Sequence, residues 1–142
     1  MGDIKIRQAT VDDIDALYEL IKLFEPESRV AKEFMTRNLA NENEIVCVAY
    51  CGNEMTGFIC GQTFTTIGWH DPVGRLEGIY VREQYRRAGV AAALMEYLER
   101  EFAARGITHL HLCVADDNSA SRALCEKFSY RIDGIEYVKD TK

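Results

Sequence analysis

The sequence has little that would mark a membrane, fibrous or disulfide-stabilised protein. It holds 2 prolines in 142 residues, and no apolar run approaches the roughly 18 residues of a membrane helix. The 5 cysteines include no Cys-x-x-Cys pair, so neither a disulfide framework nor a zinc site is indicated. The first residues lack the apolar segment of a signal peptide. We therefore expect a soluble, cytoplasmic chain with reduced cysteines, no metal and no membrane partner.

Positive charge is also scarce. There are 17 Lys and Arg residues against 23 Asp and Glu residues, which gives a formal net charge of −6. A nucleic-acid surface is normally basic, so a nucleic-acid partner is not expected. A negative surface concentrates cations, which fits a cationic small-molecule partner. The Gly-Lys-Ser/Thr signature of a P-loop is missing as well.

What the sequence does have is alternating helical and strand periodicity along its whole length. The periodicity predicts one α+β domain over residues 1–142, a sheet with helices packed on it. Predicted strands cover residues 4–7, 45–50, 55–64, 76–81, 108–115, 130–132 and 135–138. Predicted helices cover residues 11–24, 26–40, 90–105 and 118–128.

Local signals support these boundaries. Thr10 is the predicted N-cap of the first helix, Pro26 the start of the second, and Gly106 the C-terminal cap of the third. The turns at 51–54 and Asp133-Gly134 predict two hairpins. Three cysteines are expected to be small core residues of strands: Cys47, Cys60 and Cys113.

One turn has the chemistry of an anion site. Tyr85-Arg86-Arg87-Ala88-Gly89-Val90-Ala91 lies between a predicted strand and the most regular predicted helix. The first N–H groups of a helix have no internal partner and carry partial positive charge. Gly89 and Ala91 leave room for a pyrophosphate, and two arginines add charge. A helix start that holds Gly and Arg by chance is the alternative.

Two stretches carry a family resemblance. Residues 76–91, L-E-G-I-Y-V-R-E-Q-Y-R-R-A-G-V-A, resemble the cofactor motif of the GNAT superfamily of acyl-CoA-dependent N-acyltransferases, particularly aminoglycoside 6′-N-acetyltransferases. Residues 118–130, N-S-A-S-R-A-L-C-E-K-F-S-Y, are similar to a second helix motif of that family. The resemblance implies a mixed, mostly antiparallel sheet of six to seven strands with about four helices on both faces. It also implies an acetyl-CoA-dependent N-acetyltransferase, and relatives are frequently homodimers through their C-terminal strands.

The resemblance implies a cofactor site. Backbone groups of three strand residues would bind the pantetheine arm: Ile79, Tyr80 and Val81. The pyrophosphate would lie on the turn and helix start: Arg86, Arg87, Ala88, Gly89, Val90, Ala91 and Ala92. Asn118 would contact the pantetheine, with Ser121 and Lys127 nearby, although Asn118 is also a plausible N-cap. A strand distortion is expected at Gly78, with simple close packing as the alternative.

The resemblance also assigns catalytic candidates. Glu77, a carboxylate in an apolar strand, would accept the proton of the amine, act through a water or anchor a cationic acceptor; a surface Glu is the alternative. Cys125 stands where the family often has the Tyr that protonates the departing thiolate, so it is either the proton donor or a packing residue. Ser129 replaces the family's usual Gly, interpreted as a local packing change.

The acceptor is a primary amine of unspecified identity. A cationic small molecule, aminoglycoside-like or a polyamine, and a peptide or protein amine all fit the chemistry. Acceptor-binding candidates besides Glu77 are Trp69, Asp116 and Asp117. His109 and His111 share one strand face, but with His70 they lack the ligand spacing of a metal site. The rival interpretations are a catalytically weak CoA-binding regulatory or sensor domain and an unrelated phosphate-binding protein.

Overall fold

The computed structural model describes residues 2–142, and among these it contains five strands and four α-helices. The strands are β1 (Ile4–Gln8), β2 (Glu44–Cys51), β3 (Glu54–Phe64), β4 (Val73–Val81) and β5 (His109–Leu112). The helices are α1 (Ile14–Phe24), α2 (Lys32–Asn38), α3 (Val90–Ala104) and α4 (Ser119–Lys127). Short 3-10 turns at Val11–Asp13 and Glu83–Tyr85 precede α1 and α3. The chain divides into two compact units, one running to His111 and the other Leu112–Lys142.

The strands form a single sheet in the order β1-β2-β3-β4-β5. The pairs β1–β2, β2–β3 and β3–β4 are antiparallel. The predicted hairpin between β2 and β3 is confirmed, because Cys51 pairs with Glu54 and Gly52 takes a positive φ of 60° in the turn. Within residues 2–142, no helix combines the length and the apolar character needed to cross a membrane.

Helices cover both faces of this sheet. On one face, which we call the α1 face, Leu17 and Leu20 of α1 and Met35 of α2 pack in one buried cluster with Phe58 of β3. The opposite face packs against α3, and we call it the α3 face. A Cβ on Gly61 of β3 would lie 2.7 Å from Phe102 of α3, so a glycine is required for the helix to approach this closely. The predicted arrangement of helices on both faces is confirmed for α1, α2 and α3.

A buried carboxylate joins α1 to the sheet. The Asp13 side chain accepts two hydrogen bonds from the Arg7 guanidinium at 2.7 and 2.9 Å and one from the Tyr50 hydroxyl at 2.8 Å. The Thr10 N–H also donates to it at 2.7 Å, which confirms Thr10 as the cap residue at this helix start. These hydrogen bonds, above all those from Arg7, hold the pKa of Asp13 well below its usual range, although burial opposes them.

The C-terminal ends of α3 and α4 are built in the same way. At the end of α3, the Gly106 N–H donates to Ala103 O and the Ile107 N–H to Phe102 O, the Schellman pattern. Gly106 has a φ of 76°, so its predicted role as a cap is confirmed.

At the end of α4, Ser129 donates to Glu126 O and Tyr130 to Cys125 O in the same pattern. Ser129 has a φ of 67°, a left-handed conformation that favours glycine. The replacement of glycine at this position therefore adds backbone strain, and the predicted packing change stays a prediction.

Other expectations also need correction. The helix predicted from Pro26 begins only at Lys32, because the Ser28 hydroxyl accepts from the Val30 N–H and competes with helix formation. Within residues 2–142 the sheet has five strands and not six or seven, since the predicted strands 130–132 and 135–138 do not form there. Ile132, Ile135, Tyr137 and Val138 are exposed there, and a strand needs a hydrogen-bonded neighbour. Cys113 is exposed beyond the end of β5 and is not a core residue, whereas Cys47 is buried as predicted.

Candidate active site

A β-bulge interrupts the pairing of β3 with β4 where a distortion was expected. Cys60 pairs with Gly78, but the next residue, Gly61, pairs with Leu76, so Glu77 is an extra residue in β4. A bulge bends its strand and re-aims the side chain of the extra residue. A Cβ at Gly78 would meet its nearest neighbour at an ordinary 3.4 Å, and Gly78 does not have a positive φ. Close packing therefore does not require a glycine at this position.

The Glu77 side chain lies on the α1 face of the sheet. A Cβ on Gly74 would point at Phe102 on the α3 face, and strand alternation places the next residue, Arg75, on the opposite side. The Arg75 guanidinium forms an ion pair with Glu77, with 2.8 Å between Nε and Oε1. About half of the Glu77 side chain remains exposed, at 43% of its full surface. Glu77 is thus a carboxylate that Arg75 positions and that is open to solvent.

A second carboxylate, Glu44, lies on the same face. The β2–β3–β4 register places Glu44 beside Gln62 and Gln62 beside Arg75, so these three side chains follow one another across the sheet. Glu77 continues the row through its ion pair with Arg75. Burial raises the pKa of Glu44, and the nearby negative charge of Glu77 raises it further, while a hydrogen bond from Asn38 opposes both. No local pattern predicted a role for Glu44, because only the register brings it toward Glu77. We call Glu44, Gln62, Arg75 and Glu77 the polar row.

The N-terminus of α3 is open. Gly89 is the residue at its N-cap, with a φ of 85°, and a Cβ placed there would meet no atom within 4 Å. No side chain among residues 2–142 caps this end, and the first turn holds no acidic residue. The N–H groups of Val90, Ala91 and Ala92 therefore lie at a positive helix end that no side chain blocks. This geometry fits a bound pyrophosphate.

The two arginines of the turn differ in their surroundings. Arg86 donates through Nε to the Val81 carbonyl at 2.9 Å, and its guanidinium lies 5.4 Å from the centre of the Tyr80 ring. It therefore ties the turn to the end of β4. Arg87 is exposed and has a φ of 64°, which costs a non-glycine residue about 1–2 kcal/mol. Strained residues of this kind cluster at ligand sites.

The end of β4 has one edge that β5 does not cover. On one side, Ile79–Val81 pairs with Gly57–Ile59 of β3. On the other side, β5 is only four residues long, and its Leu110 lies beside Gly74 near the start of β4. Because β5 ends soon after Leu110, it stops short of Ile79–Val81. Backbone groups at this edge fit the predicted pairing with a pantetheine arm.

Trp69 contacts two histidines of β5. The Trp69 ring lies 6.2 Å from His109 and 6.4 Å from His111, centre to centre, and the two imidazoles are 4.7 Å apart. His111 Nε2 is buried and has no hydrogen-bond partner among residues 2–142. Within the same residues, no group of three His, Cys, Asp or Glu side chains is arranged to hold a metal ion. The sequence predicted a shared face for the histidines but not their contact with Trp69.

The remaining candidates lie in the second unit. The Asn118 side chain accepts a hydrogen bond from the Ser121 N–H at 3.0 Å, which confirms its N-cap alternative and leaves its amide N–H groups for other partners. Asp116 and Asp117 are exposed, and Asp116 lies 3.7 Å from the Arg122 guanidinium. Lys127 is exposed at the last residue of α4, where its charge suits the negative helix end.

Cys125 lies in the last turns of α4 and is half-buried. Burial raises the pKa of its thiol, so the thiol is protonated at neutral pH. A raised pKa also makes it a weaker proton donor than an exposed thiol. Its roles as a proton donor and as a packing residue both stay predictions.

Solved structures share this fold. The aminoglycoside N-acetyltransferase AAC(6')-Iy, in complex with the bisubstrate analogue CoA-S-monomethyl-acetylneamine, superposes with a TM-score of 0.85 at 21% identity, covering 98% of this chain and 99% of that one. The ribosomal-protein-alanine N-acetyltransferase of Brucella melitensis biovar Abortus 2308 superposes with a TM-score of 0.84 at 19% identity, covering 99% and 100%. At these identities the likeness shows the fold alone.

Sequence comparison identifies the family. An acetyltransferase of Photorhabdus laumondii subsp. laumondii is 29% identical over 124 residues, 87% of this chain and 82% of that one. The family model described as "Acetyltransferase (GNAT) family" matches residues 14–130, which include both the bulge and the turn before α3. The chain therefore belongs to the GNAT acetyltransferase family and is an acetyl-CoA-dependent N-acetyltransferase.

Proposed function

We propose that the acceptor is a primary amine of a cationic small molecule, aminoglycoside-like or a polyamine. The observation that carries this proposal is the polar row on the α1 face, where the strand register places the carboxylates of Glu44 and Glu77 on one side of the sheet and the charge of Glu77 adds to the effect of burial in raising the pKa of Glu44. An acceptor that brings more than one positive charge relieves this repulsion. The net charge of −6 supports the same class of acceptor. A peptide amine brings fewer positive charges than an aminoglycoside or a polyamine, so we rank it second among the proposed acceptors.

The proposed cofactor site combines the open helix end with the uncovered strand edge. The pyrophosphate of acetyl-CoA is held by N–H groups of the turn and of the α3 start, residues 87–92, with the charges of Arg86 and Arg87 beside it. The pantetheine arm pairs with the backbone of Ile79–Val81. Asn118, Ser121 and Lys127 are the further cofactor contacts that the family resemblance predicts.

Acetyl-CoA, when bound, supplies an acetyl group activated as a thioester. An alkylamine has a pKa near 10 and is protonated at neutral pH, so it must lose a proton before its nitrogen attacks the acetyl carbon. Glu77 accepts that proton, directly or through a water, and holds the ammonium beforehand. Positioning both substrates in one complex supplies much of the rate. The proton that the departing sulfur needs comes from Cys125 or from water.

Acceptor contacts extend beyond the polar row. Trp69 is 52% exposed, so its indole face is available to a cation. Asp116 and Asp117 are exposed carboxylates and stay the further acceptor-binding candidates.

We also propose that residues 1–142 act as one domain and that the C-terminal residues join two copies into a homodimer. Ile132, Ile135, Tyr137 and Val138 are each more than 80% exposed, which leaves an apolar stretch for a second copy to cover. Light scattering of the full chain and of a chain ending at residue 130 tests this. A monomeric full chain contradicts it.

The second candidate function is a CoA-binding sensor with weak catalysis. The observation that favours it is Cys125, a half-buried thiol that stands where the family often has a Tyr as proton donor. A sensor binds acetyl-CoA without amine-dependent turnover. An acetyltransferase releases CoA when an amine is added.

Calorimetry of acetyl-CoA with a Gly89→Asp variant tests the cofactor site. The added carboxylate repels the pyrophosphate at the α3 start, so we expect binding to weaken by about a hundredfold. Gly106→Asp is the matched control, because Gly106 lies at the other end of α3 with a φ of 76° and equally open surroundings.

Equal losses in both variants would show a general effect of strain, and unchanged binding by Gly89→Asp would contradict the site. CoA release is then measured with sisomicin, spermidine and a peptide amine. Turnover of the peptide alone would overturn the proposed acceptor class.

A further inference from the structure

The rings of Trp69, His109 and His111 form a cluster outside the residues discussed for catalysis, and we call it the ring cluster. We propose that two members of the ring cluster, His111 and Trp69, form an acceptor subsite, in which His111 Nε2 accepts a hydrogen bond from an amine N–H of the acceptor while a positive charge of the acceptor lies against the Trp69 indole. This inference rests on the proposed function, and it makes His111 a residue that positions the acceptor.

The first argument is the unsatisfied nitrogen. His111 Nε2 is buried without a hydrogen-bond partner among residues 2–142. More than nine in ten buried polar groups in native proteins are paired, because leaving one unpaired destabilises the fold. A neutral imidazole accepts a hydrogen bond at the nitrogen that carries no proton, so Nε2 is available when the proton is on Nδ1. An N–H donor of a bound acceptor would supply the hydrogen bond that His111 Nε2 lacks.

The second argument is the position of the ring cluster on the sheet. The Leu110 side chain lies toward Gly74 and Phe102 on the α3 face. Strand alternation therefore places His109 and His111 on the α1 face, the face that carries the polar row.

The third argument is the contact with Trp69. The Trp69 and His111 rings are stacked, with 25° between their planes, and Trp69 remains half exposed. Trp is the side chain that attracts cations most strongly through its ring face. The ring cluster thus offers one hydrogen-bond acceptor and one cation-binding face, and an amine cation needs both.

The test compares three variants by steady-state kinetics and thermal unfolding, with sisomicin and spermidine as acceptors. His111→Phe keeps a ring against Trp69 but removes the nitrogen. We expect it to raise the KM for the amine about tenfold or more, because a hydrogen bond to a charged donor is lost. The KM for acetyl-CoA should stay within about twofold, and Tm should rise by about 3 °C, because a buried unpaired nitrogen is removed.

His111→Gln places an amide oxygen near the position of Nε2 and should recover most of the amine affinity. His109→Phe is the matched control, since His109 belongs to the same ring cluster but is exposed. It should change the amine KM less than about threefold. An unchanged amine KM in His111→Phe overturns the inference, and so does an equal increase in His109→Phe. If the wild type binds acetyl-CoA but neither acetylates nor binds either amine, the proposed function fails and the inference fails with it.

Discussion

Arg75 Nε lies 2.8 Å from Glu77 Oε1. This ion pair joins Glu77, the extra residue of the bulge, to the residue two positions earlier in β4. Arg75 fixes the direction of the carboxylate and balances part of its charge. In the proposed mechanism, an acceptor ammonium would share Glu77 with Arg75. Glu77 is both the extra residue of the bulge and the most exposed member of the polar row, so we predict that it has the largest effect on amine turnover.

Glu77→Gln should lower the amine-dependent kcat/KM by about a hundredfold or more, because the amide neither accepts the amine proton nor attracts the ammonium. Acetyl-CoA affinity should not change. CoA release and calorimetry measure the two quantities. Glu96→Gln, on the exposed side of α3, is the control and should leave both unchanged. A Glu77→Gln enzyme with wild-type turnover would exclude Glu77 from the chemistry.

The Asp13 network should make stability fall in acid. Asp13 has a lowered pKa in the folded chain, so its contribution is fully present above its unfolded pKa of about 3.9 and is lost as the pH falls below that value. Asp13→Asn should cost about 1–3 kcal/mol of unfolding free energy at pH 7. It should also flatten the decline of stability from about pH 5 downward. Urea unfolding over this pH range measures both effects.

Asp15→Asn is the control for that experiment. Asp15 forms an ion pair with Lys32 on the surface, with 88% of its side chain exposed, and solvent screens such pairs. We expect no measurable change in stability and an acid decline like that of the wild type. A similar flattening in both variants would mean that Asp13 is not the group that titrates.

Ser129→Gly should stabilise α4. The left-handed φ of 67° strains a serine but not a glycine. We expect a gain of about 0.5–1 kcal/mol in unfolding free energy, which is less than the strain itself because glycine has more conformational freedom in the unfolded chain. Hydrogen exchange of the α4 amides measures the local effect. The mirror change, Gly106→Ser at the end of α3, should destabilise by a similar amount. Faster exchange in Ser129→Gly would show that the serine side chain stabilises this end.

Substitution by alanine should change stability differently at two strand glycines, Gly57 and Gly78. A Cβ on Gly57 would lie 2.7 Å from the Tyr80 carbonyl oxygen, and this backbone atom cannot rotate away. Gly57→Ala should therefore cost about 1–3 kcal/mol. A Cβ on Gly78 would make ordinary contacts from 3.4 Å, so Gly78→Ala should leave Tm unchanged or slightly higher. Thermal unfolding of the two variants checks this, and a larger loss in Gly78→Ala would mean that the bulge depends on glycine.

Local signals predicted most of the elements correctly. Thr10, Gly106 and Asn118 act as caps because their effect is confined to one helix turn, which a short stretch of sequence contains. Strand periodicity at residues 130–138 was misleading, because a strand exists only beside a partner and the sequence pattern cannot name one. The strand predicted from residue 76 begins at Val73 and so includes Gly74, where Leu110 and Phe102 leave no room for a side chain.

The amino-acid sequence by itself determined the open start of α3, since a glycine before a regular helix and a first turn without acidic residues need no distant contact. It also placed Glu77 beside a glycine that accepts a bulge. Only the tertiary structure decided that Glu44 joins Glu77, that Arg75 pairs with it and that Trp69 meets the two histidines. These relationships depend on strand register and on a long loop, and register is a property of paired strands that no single strand encodes.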